Sequence, residues 1–279
     1  MTFTEDTELN QLGYGQEYQI KYTLEPVDAT ASLLTWASDN PEVISVDKTG
    51  KLKVHTTKTA SAVITASYGP VVQNVTVTVA DGRFWYSLGN GLGNGLDNNW
   101  YLDGNNASVV SSDGNKTTVQ MGSGYRGDLW LARSGKGKIV NVTPADYRYF
   151  AIKVGFKSQL VPGKNKPNGC IKLEIFDDGI KKIGPEYFGT GGDANNRYEI
   201  LGASEISTTE PNVLYYDLQS KYKTVTPTDW NQVFDLVQCK FVIADFPETA
   251  QTYDLYWIRS FKSIEELQAF VDSENNTNE

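Results

Sequence analysis

The chain has 279 residues, enough for one large domain or two ordinary ones, and its 25 basic against 34 acidic side chains leave a net charge of −9. That balance repels nucleic acid and anionic membrane, and no apolar run approaches the length of a membrane-spanning helix. An aromatic content of 12%, with 16 Tyr and 6 Trp against a single His, favours strands and ligand-binding surfaces over a helical bundle.

The opening MTFTEDTELN lacks the basic and apolar regions of an export signal, so Met1 is expected to be a start codon on a trimmed chain. From about residue 16 to 79, short segments such as EYQIKYTLEP, LLTWAS, VISVD, KLKVH and SAVITASYG alternate apolar and polar positions between turn signals. Spacings of roughly ten residues with no helical period predict a small β-sandwich. Trp36 shares a face with Leu34 and is assigned to its core, DNPE turns the chain, and DKTGK closes a hairpin in which Gly50 can take positive φ.

The run LEPVDATASLLTWASDNPEVISVDKTGKLKV, with SAVITASYG and NVTVTVA after it, resembles a bacterial immunoglobulin-like domain of group 2. Pro26, Trp36, Asn40, Pro41, Asp47 and Gly50 stand on matching positions, while TKTASAVITA departs from the glycine turn usual before the ITA strand. The resemblance implies a spacer that presents another domain at a cell surface. Its domain is assigned to residues 1–81, ending on the Asp-Gly pair of VADGR.

Next comes SLGNGLGNGLDNNWYLDGNN, whose glycines fit neither a dinucleotide nor a phosphate loop, and which is expected to be a long binding loop over 89–106. Asp97, Asn98, Asp103 and Asn105 supply hard oxygens on a turning backbone. A structural calcium is one use for them and turn formation the other; no other cofactor is called for.

Residues 106 to 262 return to strands, among them KTTVQMG, GDLWLAR, YRYFAIKVGF, VLYYDL, CKFVIADF and TYDLYWIRSF. Nine or so at sandwich spacing predict a jelly roll over 82–272, so the fold class is all-β: a small immunoglobulin-like sandwich followed by a larger, galactose-binding-like one. Two short helices are expected near the end, TPTDWNQVFDLV and SIEELQAFV, the second opened by a capping box of Ser263 and Glu266. Residues 273–279 have nothing apolar to bury and are expected to be a disordered tail.

The stretch YDLYWIRSFKSIEEL, and more loosely SSDGNKTTVQM and YRGDLWLAR, resemble the C-terminal domains of surface glycan-binding lipoproteins from glycan-utilisation loci of Gram-negative gut bacteria. Those domains are similar to carbohydrate-binding modules. The resemblance implies an outer-membrane lipoprotein at the cell surface, its signal and anchor cysteine absent from this chain, working with other outer-membrane glycan-uptake components. It assigns no binding residue.

The residues themselves narrow the chemistry. His55 is expected to be a strand-end surface histidine with no nucleophile near it in pattern, and the shortage of His excludes zinc sites built from His and Cys. Cys170 falls on a polar face and Cys239 on an apolar one, which disfavours a disulfide between them. A glycosidase needs only two carboxylates, and Asp177, Asp178, Glu186, Glu199, Asp245, Glu248 and Asp254 are candidates with no sign of convergence. Asp254 could equally bond loop backbone or help hold a calcium ion.

Strand alternation in SGYRGDLWLAR places Arg126, Asp128 and Trp130 on one face, opposite Leu129 and Leu131. A ring beside a cation and a carboxylate suits a sugar, whose C–H patches stack on aromatics and whose hydroxyls seek charged and amide groups. A bulge after Gly127 would instead turn Trp130 into the core. Trp100, in polar surroundings, and Tyr187, in a Gly-rich loop, are further carbohydrate-binding candidates; Trp230, with Phe234 a helical turn on, and Trp257, sharing strand parity with Leu255 and Phe261, are assigned to packing. The expected function is non-catalytic capture of oligo- or polysaccharide, against a glycoside hydrolase or lyase using a carboxylate pair and a structural adhesin that binds protein.

Overall fold

A computed structural model describes residues 1–3, 9–25, 29–93, 100–103, 107–122, 126–132, 140–158, 171–177, 198–219, 230–244 and 251–276. The chain divides into two units, Met1–Tyr86 and Ser87–Glu279.

Unit 1 contains β1 (Thr2–Phe3), β2 (Leu12–Tyr14), β3 (Glu17–Gln19), β4 (Tyr22–Thr23), β5 (Thr35–Ser38), β6 (Ile44–Val46), β7 (Lys51–Val54) and β8 (Ala60–Tyr68), and β9 (Val71–Ser87) runs to its end. β5, β8 and β9 form an antiparallel run with β2 added in parallel, and β3, β7 and β6 form a separate antiparallel sheet. Alternating apolar residues of both sheets, including Leu12, Ile44, Leu52, Ile64 and Val77, close into one core. Trp36 packs against its margin, half-buried, with Phe3 stacked at 5.9 Å and Tyr22 at 5.6 Å.

The β6–β7 turn behaves as its sequence predicts. Asp47 Oδ1 accepts hydrogen bonds from the Thr49 and Lys51 amides, and Gly50 takes φ +82°. Two features differ from expectation. β9 continues past Asp81-Gly82, because Gly82 at φ +67° lets its N–H reach Thr57 O while the strand carries on to Ser87. His55 is half-buried, not on the surface, and its Nε2 lies 2.8 Å from Ser45 Oγ. Burial first, and Lys53 second, hold its pKa down against Glu42.

Unit 2 contains β10 (Tyr101–Asp103), β11 (Ser108–Ser112), β12 (Thr117–Gln120), β13 (Arg126–Ala132), β14 (Val140–Val142), β15 (Tyr149–Phe156), β16 (Ile171–Asp177), β17 (Glu199–Ile200), β18 (Asn212–Asp217), β19 (Phe234–Ala244), β20 (Thr252–Phe261) and α1 (Ile264–Asn276). One sheet runs β17, β18, β15, β20, β12, β11; the other places β13 between β10 and β19, with β14 and β16 also on β19. The sheets meet around Phe241 of β19, whose ring touches Phe150 and Tyr216 of the first sheet at 5.6 and 5.8 Å. Unit 2 is thus an all-β sandwich.

Three sequence expectations for unit 2 fail for identifiable reasons. The described part of the helix expected over TPTDWNQVFDLV is a turn at Trp230 and then strand, since Phe234 and Leu236 are buried and Asp235 is exposed, a period of two. Trp230 and Phe234 still touch, at 6.5 Å. The tail expected from residue 273 is helical to Asn276, because Glu274 Oε2 is held by Lys153 Nζ and Trp257 Nε1, each at 3.1 Å. α1 itself starts as expected, with Ser263 Oγ accepting from the Glu266 amide.

Trp257 does not share a face with Leu255. β20 carries a bulge: Leu255 pairs with Val154 and Trp257 with Lys153, leaving Tyr256 as the extra residue. Tyr253 and Leu255 therefore point into the sandwich, whereas Trp257 and Phe261 point outward onto Phe270 of α1, at 5.6 and 5.7 Å.

A Cβ on Gly50 would lie 2.6 Å from Trp36 Cζ2 at a backbone angle that side chains avoid. Gly50→Ala should cost unit 1 about 1–3 kcal/mol. Hydrogen exchange should then accelerate at the β6 and β7 amides and stay unchanged at β19.

Candidate functional site

Of the five carbohydrate-binding candidates, the three whose side chains are described, Trp100, Asp128 and Trp130, do not stand on an open surface. β13 keeps its register through Trp130, with Asp128 opposite Val242 and Trp130 opposite Lys240; the bulge falls one residue later, at Leu131. Asp128 and Trp130 therefore share the face opposite Leu129, as alternation predicts. That face is closed: Trp130 is 9% exposed and Val242 fully buried. The cation that answers Trp130 comes from the neighbouring strand. Lys240 Nζ sits 4.4 Å from the indole centroid and 3.0 Å from Asp128 Oδ2, so ring, ammonium and carboxylate satisfy one another internally.

Trp100 is fully buried, 5.7 Å from Phe241 in the sandwich core, so a platform role for it is corrected. Its polar neighbours in sequence hid this, because β10 docks on β13 and carries the ring beneath it. The Arg126 backbone pairs with Ala244, and Tyr187 lies outside the described residues. Of the calcium candidates, Asp97, Asn98 and Asn105 lie outside them as well, while Asp103 pairs in register with Asp128. Among the described residues no cluster of three His, Cys, Asp or Glu side chains is placed to hold a metal. Cys170 is also outside the described residues, and Cys239 is a free, fully buried thiol whose pKa burial pushes up.

Of the carboxylate candidates, the two whose side chains are described do not form a pair. Glu199 on β17 and Asp254 on β20 are separated by two intervening strands, roughly 14 Å at the ordinary inter-strand spacing. Asp178, Glu186, Asp245 and Glu248 lie outside the described residues. Asp254 is engaged by side chains: Lys116 Nζ reaches it at 2.7 Å and Thr118 Oγ1 at 2.6 Å. Burial raises its pKa, but these two hydrogen bonds, with the charges of Lys116 and Lys157, outweigh burial and leave the carboxyl below the ordinary aspartate value.

An open groove of about 730 Å³ lies instead on the outward face of the other sheet. Its floor is the β20 bulge. The Tyr256 carbonyl accepts from the Leu88 amide at 2.8 Å, and its ring lies across Gly155, where a Cβ would stand 3.5 Å from Cε2. Lys153 Nζ is 5.6 Å from the ring centroid. One wall is α1, bearing Glu274 and Asn275; another is the β11–β12 turn, bearing Asn115; a third is Glu210.

Both loops that present these side chains are braced. Asp113 Oδ1 accepts from the Asn115 and Lys116 amides, and the Gly114 amide reaches Gly89 O so closely that a Cβ on Gly89 would come within 2.2 Å of Gly114 O. In the second, Ser207 Oγ accepts from the Thr209 and Glu210 amides, and Asn212 Nδ2 donates to Ser207 O. The groove thus offers an aromatic ring, amides and charged groups on fixed backbone, the contact types that polyhydroxylated ligands use. Sequence reasoning passed over Tyr256 because a bulge leaves no mark in the alternation of TYDLYWIRSF.

The family described as "Domain of unknown function (DUF4979)" matches residues 91–267, well over half of the chain. The chain belongs to that family. The DUF4979 span lies within unit 2, holds all its strands and ends in the first turn of α1, so it includes Tyr256, Lys153, Asn115 and Glu210 and stops short of Glu274. No curated protein matches the sequence. A solved structure titled "The structure of CBM51-2 and INT domains from Clostridium perfringens ZmpB" aligns with 93% of this chain at 12% identity and a TM-score of 0.21. The alignment takes in 48% of that chain, so the present chain spans about half its length. Among the described residues no helix is long and apolar enough to cross a membrane.

Two outcomes test these placements. Lys240→Ala removes the ammonium paired with Asp128 in a closed face and should cost about 3–5 kcal/mol in urea unfolding, whereas Lys240→Met with Asp128→Leu should cost less. Asp254 ionises more readily in the fold than when unfolded, so its contribution is present above the ordinary aspartate range and fades as pH falls through its lowered value. The difference in melting temperature between wild type and Asp254→Asn should accordingly be largest near neutrality and shrink below about pH 4.

Proposed function

We propose that unit 2 captures oligo- or polysaccharide in the groove beside Tyr256 without cleaving it. Unit 1 then serves as an immunoglobulin-like spacer, and the protein works at a bacterial cell surface as an outer-membrane lipoprotein beside glycan-uptake partners. The observation that carries the reading is the bulge-held Tyr256 ring in a preformed groove beside amide and carboxylate side chains. An aromatic ring covers the C–H patch of a sugar, and the surrounding groups meet its rim of hydroxyls.

Binding without hydrolysis agrees with how the nearest acids are used. Hydrolysis needs one carboxyl to give a proton and another to attack or activate water. Glu274 Oε2 already accepts from Lys153 and Trp257 and Asp254 from Lys116 and Thr118, which leaves Glu210, among the described residues, as a single carboxylate at the groove and not a pair. Covering one aromatic face contributes on the order of 1–3 kcal/mol, so each site is weak and gains from many copies on a surface.

Affinity electrophoresis of the full chain through gels containing plant, fungal and host glycans tests the reading. Tyr256→Ala should weaken any retardation about tenfold or more while leaving the melting temperature near wild type, since the ring is only half-buried. Lack of retardation in every gel would remove it.

A further inference from the structure

We infer that the groove selects uncharged glycans and that Glu210 is its specificity-determining acceptor, an inference that rests on the glycan-binding reading and names its ligand class. The two lysines beside Tyr256 are already paired with carboxylates. Lys153 is bridged to Glu274 at 3.1 Å and Lys116 to Asp254 at 2.7 Å. Arg259 is held between rings, its guanidinium carbon 4.2 Å from the Phe270 centroid and 5.4 Å from that of Trp257. A uronate, sulfate or phosphate group would have to displace Glu274 or Asp254 to pair with either lysine, and would meet the Glu210 carboxylate in the same groove.

The groups left for a ligand have the opposite character. The side chains of Asn115, Glu210 and Asn275 line the groove, and none makes a hydrogen bond to another described residue. Two are neutral amides, each a donor and an acceptor, and the third is a carboxylate that only accepts. Glu210 stands on the loop braced by Ser207 and Asn212, with its backbone amide and carbonyl both engaged, so the point from which its side chain reaches the groove is set before any ligand arrives. A carboxylate presented from this braced backbone can accept two O–H donors from adjacent sugar hydroxyls and repels an anionic sugar. Tyr256 supplies stacking to either class and does not discriminate; Glu210 does.

The full chain is titrated calorimetrically with neutral polysaccharides (mixed-linkage β-glucan, galactomannan, arabinoxylan, yeast mannan) and with acidic ones (polygalacturonate, alginate, chondroitin sulfate). We expect at least one neutral glycan to bind and no acidic glycan to do so. Glu210→Gln should weaken the neutral ligand about tenfold, equivalent to about 1.4 kcal/mol, and Tyr256→Ala should weaken it at least as much, both with wild-type melting temperature. Binding of acidic glycans in preference, strengthened by Glu210→Gln and lost in Tyr256→Ala, overturns the inference and leaves glycan capture standing. A neutral glycan that binds within twofold of wild type in both variants also overturns it, moving capture to another surface. Silence across both classes sinks the glycan-binding reading itself.

Discussion

One inserted residue in β20 sets the outward architecture of unit 2. Before Tyr256, Tyr253 and Leu255 face the sandwich; after it, Ile258 and Ser260 do, because the two-residue period has been reset by the bulge. Trp257 and Phe261 are thereby sent to the far side, where water would meet two large rings. α1 covers them with Phe270, and Glu274 closes its last turn onto the indole N–H and Lys153. Helix, groove wall and the position of Tyr256 follow from that single offset.

The two faces of unit 2 use charge in contrasting ways. Beside Trp130, Lys240 and Asp128 neutralise each other where water is nearly absent, an arrangement that holds β13 to β19 and offers nothing to a ligand. Around Tyr256 the ion pairs are partly open to water, and side-chain amides and the Glu210 carboxylate stand apart from them. Aromatic and charged letters occur in both places. What separates a packing cluster from a binding groove is whether the polar groups are already satisfied by the protein.

The groove is rigidly framed. Its braced loops lower the ordering that a ligand would have to impose, and its Glu274 is an acceptor tied to two donors. The half-buried His55 is bonded to Ser45 in unit 1, so the chain's one imidazole stands outside unit 2.

Much of the architecture is local and was legible in the letters. Alternation marked the strands from EYQIKY to TYDLYW, Asp47 and Gly50 marked their hairpin, and Ser263 marked the start of α1, since each depends on residues a few positions apart. Alternation also placed Asp128 and Trp130 on one face of β13. By itself, then, the sequence determined an all-β chain with a helix at its end and the side of each strand a residue occupies up to the first bulge. Tertiary structure decided the rest: that Trp100 lies beneath β13 against Phe241, that Lys240 caps Trp130, that Phe234 belongs to a strand, and that Tyr256 is the residue in excess. Burial and register depend on partners a hundred or more residues away, as Lys240 is from Asp128, and no short-range pattern carries that information.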